Sequence, residues 1–128
     1  MILLDSNTII YFASPGFADH RMEYAKYDLA ASAVSRIEVL GYHSLEGNQE
    51  KDFEDYFASI VVLEMTSEVV ERAIWLRQQR KIGLGDAIVA ATGLVHDLTL
   101  ATRNTKDFKW ITSLTLIDPF EDLAQSQD

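Results

Sequence analysis

The chain has 128 residues, 48% of them hydrophobic and 24% charged, the proportions of one globular domain large enough to bury a core of its own. It contains no cysteine, which excludes disulfides, thiolate zinc centres and cysteine nucleophiles. Its 11 lysines and arginines stand against 20 aspartates and glutamates, and a net charge of −9 is a poor balance for neutralising many phosphates.

The opening Met-Ile-Leu-Leu-Asp-Ser-Asn lacks the charged and long apolar regions of a secretory signal, and no apolar run reaches the length that spans a bilayer. A single domain over 1–128, in the cytoplasm and away from membranes, is the expectation. Ile2-Leu3-Leu4 reads as a buried parallel strand ending at Asp5. Ser6 and Asn7 can cap a short helix through Tyr11 and Phe12, which Pro15-Gly16 breaks. A helix is expected within 17–27. A second strand follows at Leu29-Ala30-Ala31, then a helix capped by Ser32 or Ser35 that carries Ile37, Glu38, Leu40 and Gly41.

Asn48 to Ala58 predicts an acidic helix with Phe53, Tyr56 and Phe57 on one side, and Ile60-Val61-Val62-Leu63 is a β-branched strand. Thr66 caps a long helix whose apolar stripe is Val69, Val70, Ala73, Ile74 and Leu76. Gly83 and Gly85 bracket a break, and a further helix runs from Asp86 to His96 with small residues Ala87, Ala90 and Ala91 turned to the sheet. Strands at Leu98–Thr102 and Leu114–Ile117 complete the chain. Alternating strands and helices joined by short turns predict a three-layer α/β/α sandwich around a mostly parallel sheet of four or five strands.

In such a sheet, functional groups collect outside the carboxyl ends of the strands. Asp5 ends the first strand, Glu38 lies in the helix after the second, Asp86 opens a helix, and Asn104 and Asp107 follow the fourth strand. Clustered carboxylates repel unless a cation or protons relieve them. With no cysteine and three scattered histidines (His20, His43, His96), an oxygen-only donor set suits Mg²⁺ or Mn²⁺. Turn formation by Asn104 and Asp107, and helix capping by Asp5 or Asp86, remain structural readings of the same residues. The basic residues gather in two places: Arg77, Arg80 and Lys81 before Asp86, and Arg103, Lys106 and Lys109 after the fourth strand.

Four segments, taken in order, resemble the successive motifs of the PIN-domain family, in its VapC-like toxin branch. They are Leu3-Leu4-Asp5-Ser6-Asn7, Ser35-Arg36-Ile37-Glu38-Val39-Leu40-Gly41-Tyr42, Leu84-Gly85-Asp86-Ala87-Ile88-Val89-Ala90-Ala91-Thr92 and Leu100-Ala101-Thr102-Arg103-Asn104-Thr105-Lys106-Asp107-Phe108. The resemblance implies a metal-dependent endoribonuclease, restrained by a small antitoxin and expected as a homodimer, with Asp5, Glu38 and Asp86 as catalytic acids and metal ligands. Asn104 or Asp107 would complete the metal site, while Ser6, Thr102 and Arg103 are candidate contacts to the RNA. Two rivals stand beside this reading. One is a receiver-type domain, which Asn7 disfavours because no second acid stands two residues after Asp5. The other is a catalytically silent PIN domain that acts only as a binding module.

Overall fold

A computed structural model describes residues 1–121; the remainder of the expected single domain, 122–128, lies outside the described residues. Strand β1 (Ile2–Leu4) leads into α1 (Ser6–Ala13), a 3-10 turn at Pro15–Phe17 and α2 (Ala18–Tyr24). Strand β2 (Leu29–Ser32) is followed by α3 (Ala33–Leu40) and α4 (Gly47–Ala58), and β3 (Val61–Leu63) by α5 (Ser67–Gln79) and α6 (Leu84–Val95). Strand β4 (Thr99–Ala101), the short α7 (Thr105–Phe108) and β5 (Leu116–Ile117) complete the order.

All four strand pairings are parallel, in the order β3-β2-β1-β4-β5. The register explains the three layers. Leu3 lies level with Ala30 and Leu100, and Leu4 with Ala31 and Ala101. Because successive strand side chains point to opposite faces, the first set joins Val69, Ala73 and Leu76 of α5, Ala87 to Ala91 of α6, and Phe108 in one core. The second set joins Ile9 and Phe12 of α1, Val39 of α3, Phe53 and Phe57 of α4, and Phe120 in the other. Every residue of the central strand pair's inner rungs is fully buried, and each such leucine contributes about 1.5–3 kcal/mol.

The structure shifts several predicted boundaries. Asp5, not Ser6 or Asn7, is the N-cap of α1, because the chain is still extended at Asp5 and becomes helical immediately after it. Ser32 rather than Ser35 caps α3, accepting the Val34 N–H, and Ser35 is buried inside the helix. On α5 the buried face is Val69, Ala73 and Leu76, at the i, i+4, i+7 spacing of one stripe. Val70 and Ile74 sit one residue round the helix and stay exposed at 39% and 46%. Helix α6 begins at Leu84 with Gly83 as its cap, so Asp86 belongs to the first turn rather than opening the helix, and Gly85 is helical rather than a break. The far end of α6 stops where Asp97 takes φ 54 and the Leu98 N–H returns to the Gly93 carbonyl at 2.8 Å.

A candidate acidic active site

The strand order reverses between β1 and β4: the chain builds outward from β1 through β2 to β3, then crosses to β4 and β5 on the other side. A reversal of this kind leaves a crevice outside the carboxyl ends of the two central strands. Asp5 leaves β1 there, and Thr102 to Asn104 leave β4 beside it. The Asp5 N–H donates to the Ala101 carbonyl at 3.2 Å, and the Thr8 hydroxyl donates to the same carbonyl at 3.1 Å, which ties the two strand ends together.

Asp5 is buried, and its Oδ1 accepts the Thr8 N–H at 2.8 Å. The cap engages one carboxylate oxygen and fixes the rotamer, so the turn role and a ligand role are compatible. Glu38, on an exposed position of α3, is held by a short hydroxyl chain. The Ser6 hydroxyl donates to Glu38 Oε1 at 2.8 Å and lies 3.0 Å from the buried Ser35 Oγ. On its other side Glu38 rests on the first turn of α6: a Cβ on Gly85 would lie 2.6 Å from Glu38 Oε2 and 3.1 Å from Cδ. Only glycine leaves that space, and a carboxylate there also gains from the helix N-terminal dipole.

Asp86 lies in the same first turn, and its carboxyl is raised above the usual aspartate range. Partial desolvation is the leading cause, followed by the negative charges of Asp5, Glu38 and Asp107. Asp86 is nonetheless exposed in surface terms, which weakens the burial contribution; the charges of three carboxylates are the firmer part of the shift. Asp86 thus senses acids from the start of α1, from α3 and from α7. Among the described residues, however, no three His, Asp or Glu side chains converge into a ready-made metal cage. Both observations hold if the carboxylates are near enough to interact through the crevice but not to share one ion without water. The donor set, all oxygen and electrostatically crowded, fits a hard divalent cation that keeps part of its hydration shell.

The remaining predicted positions separate. Asp107, in α7, acts on Asp86 and so belongs to the group. Asn104 precedes α7, and its N–H donates to Thr102 Oγ1 at 3.1 Å. Thr102 is fully buried, so it shapes that turn and is closed to an RNA strand, contrary to the sequence expectation. Ser6 addresses Glu38 directly. Arg103 sits with its guanidinium carbon 5.7 Å from the Tyr11 ring centroid, on the α1 side. Sequence reasoning missed Ser35 as the end of the hydroxyl chain and Gly85 as the clearance for Glu38. A serine three residues before a candidate acid, and a glycine directly before another, were the available signals.

A recess of about 220 Å³ adjoins the acids, lined by Arg80, Lys81, Lys106 and Trp110 together with Asp86 and Asp107. A much larger groove, about 900 Å³, lies at the opposite, amino-terminal edge of β1 to β3. It is lined by Met1, Met22, Tyr27 and Val61 and by Asp28, Asp52 and Asp55, and holds none of the clustered acids, so size does not mark the chemistry here.

A parallel three-layer α/β domain with acidic side chains gathered at the reversal point of its sheet defines the class of protein. Comparison with known proteins narrows it. The family model described as PIN domain matches residues 2–112. Ribonuclease VapC10 of Mycobacterium tuberculosis is 33% identical over 122 residues, covering 89% of this chain and 90% of that protein. A toxin–antitoxin complex from Klebsiella pneumoniae contains a chain with 31% identity and a TM-score of 0.75, covering 93% of this chain and 98% of that one. VapBC-1 from nontypeable Haemophilus influenzae gives 25% identity and a TM-score of 0.77, over 93% and 98% of the two chains. The chain belongs to the PIN-domain family.

Proposed function

We propose that this chain is an endoribonuclease toxin in which Asp5, Glu38 and Asp86, with Asp107 beside them, form the hydrolytic centre. The observation that carries the reading is Asp86 at the sheet's reversal point, its carboxyl raised by partial desolvation and by the negative charges of Asp5, Glu38 and Asp107 from three other parts of the chain. The relative named as a ribonuclease and the similar chain from a toxin–antitoxin complex support it. Magnesium or manganese is the expected ion, since the donors are oxygen alone. The chemistry such a cation brings when bound is neutralisation of phosphate charge and a lowered pKa for an attacking water. The protein's own part is positional. Asp5 is locked by its cap, Glu38 by Ser6 and by the floor at Gly85, and Asp86 by the start of α6.

A small antitoxin is the expected partner, and two copies of the chain are expected to pair. The apolar groove at the opposite sheet edge, rimmed by Asp28, Asp52 and Asp55, suits an amphipathic basic segment of such a partner. The exposed Val70, Ile74 and Trp75 on α5 offer apolar surface for a second copy. The direct test is incubation of purified protein with mixed RNA, with chelator and with millimolar Mg²⁺ or Mn²⁺. Internal cuts that need the metal and vanish in Asp86→Asn are expected. RNA left whole by the wild type under every ion would overturn the enzyme reading and favour the silent binding module.

A further inference from the structure

We infer that the recess lined by Arg80, Lys81, Lys106 and Trp110 is a phosphate-binding subsite that holds the RNA strand beside the cleavage centre. The inference rests on the proposed ribonuclease reading and names residues that reading leaves unused. In a chain of net charge −9, three of its 11 lysines and arginines line one small hollow. All three are exposed, and among the described residues none of them forms a salt bridge, although Asp86 and Asp107 line the same hollow. Cations beside anions yet uncommitted to them are available to a third party, and the fitting one carries negative charge of its own.

Arg80 is oriented rather than loose. Its guanidinium carbon lies 5.7 Å from the centroid of the Trp110 ring, and the Trp110 indole N–H is fixed by the Asp107 carbonyl at 3.1 Å. A cation–π contact holds the guanidinium in place while leaving its N–H fork free for a phosphate. The floor contributes as well. Helix α6, 12 residues long, begins at Leu84 just beyond Gly83 on the recess wall and has no side-chain cap, so its N-terminal dipole favours an anion in the recess as it does the Glu38 carboxylate. The volume, about 220 Å³, admits a phosphodiester group with some water and is far too small for a folded acidic domain. Because Asp86 is shared between recess and acid cluster, a phosphate seated here lies directly beside those acids. Trp110 is a positioning residue for Arg80, which contacts the phosphate, and Lys81 and Lys106 supply further charge.

The test separates this subsite from general electrostatics and from the nuclease reading itself. Binding of a short fluorescent single-stranded RNA is measured in chelator, where cleavage is blocked, across a salt series. The variant Arg80→Gln/Lys81→Gln/Lys106→Gln is compared with the charge-matched control Lys26→Gln/Lys51→Gln/Arg72→Gln, whose residues lie outside the recess. The recess variant should lose about 0.7 of salt slope per forfeited phosphate contact, and the control much less. In cleavage assays with metal, the recess variant should raise KM about tenfold or more with kcat changed by less than about twofold. With Trp75→Phe, Trp110 is the remaining tryptophan of the two, and RNA should change its emission saturably. Equal losses in the recess and control variants would overturn the subsite, as would an emission change with polyglutamate but none with RNA. Recess-specific binding without any cleavage would retain the subsite and remove the nuclease; cleavage with no recess effect would do the reverse.

Discussion

Gly85→Ala isolates the placement of one acid from the stability of the fold. The added Cβ would stand 2.6 Å from Glu38 Oε2, while ordinary contact begins at 3.4 Å, so the carboxylate must retreat by roughly 0.8 Å. The obstacle is the end of a flexible side chain, which can swing away at a rotamer cost of about 0.5–1.5 kcal/mol. Against this, replacing a helical glycine stiffens the unfolded chain and stabilises by about 0.4–1 kcal/mol. The two effects nearly cancel, and the melting temperature should stay within about 5 °C of wild type. Activity should not be spared. A displacement of about 1 Å in a catalytic constellation costs up to about 10²-fold, so a fall in kcat/KM of about 10- to 100-fold is expected. In a Glu38→Ala background Gly85→Ala has nothing to displace and should cost nothing further. The assays are a thermal melt and metal-dependent RNA cleavage on the same four proteins. Undiminished cleavage by Gly85→Ala would refute the claim that Glu38 must rest on α6. A fall in melting temperature well beyond 5 °C would show that the clearance serves packing instead.

Three further outcomes follow from the same geometry. Asp86→Asn should lower cleavage by about 10²–10³-fold while raising the stability of the metal-free protein at neutral pH. A carboxyl raised in the folded state destabilises that state as pH climbs from about 3.9 through the raised value. The advantage of Asp86→Asn in melting temperature should therefore be small at pH 3.5 and reach a plateau near pH 7; the opposite trend would refute the repulsion. Mn²⁺ at a hundredfold excess over its dissociation constant should stabilise the wild type by about 2.7 kcal/mol, and Asp86→Asn much less, in chelator-controlled melts. Ser6→Ala should reduce kcat/KM about tenfold through a looser Glu38 and leave the melting temperature within a few degrees, since the hydrogen bond to Glu38 lies at an exposed site.

The strand edge was legible because a single register carries it. Leu3 and Leu4, Ala30 and Ala31, and Leu100 and Ala101 are short apolar pairs, and each pair is followed within a few residues by a polar turn. That pattern is enough to bring Asp5 and the segment after β4 to one side of a parallel sheet. What it could not yield was rotation about helix axes. Val70 and Ile74 read as core because they are apolar and near Val69 and Ala73, yet one residue of offset turns them to solvent. The start of α6 was hidden for a related reason. Gly83 and Gly85 read as breakers on local propensity, whereas the structure has Gly85 helical, and the residue is glycine because Glu38, 47 residues earlier in sequence, occupies the space a side chain would fill. No window around Gly85 contains that information. Trp110 likewise had no assignment from sequence, since its partner Arg80 lies on a different element.

Asp5 shows how stability and function can be pulled apart at a residue that serves both. Its Oδ1 caps α1 through the Thr8 N–H, and removing such a cap costs about 0.5–2 kcal/mol. Asp5→Asn retains an oxygen able to accept that bond but discards the negative charge, whereas Asp5→Ala discards both. If the cap were the whole role, cleavage would survive in Asp5→Asn, because asparagine caps as well as aspartate. If the charge is needed at the crevice, Asp5→Asn should be as inactive as Asp5→Ala while melting several degrees higher. Its metal-free form should also respond at a distance. Removing the charge of Asp5 takes away the largest charge contribution to the raised Asp86 carboxyl, which should titrate closer to an ordinary aspartate. Carboxyl titration followed by NMR reads that change directly. An Asp86 titration unaltered by Asp5→Asn would mean that the two acids do not share the crevice, and the cluster would have to be redrawn around Glu38 and Asp107.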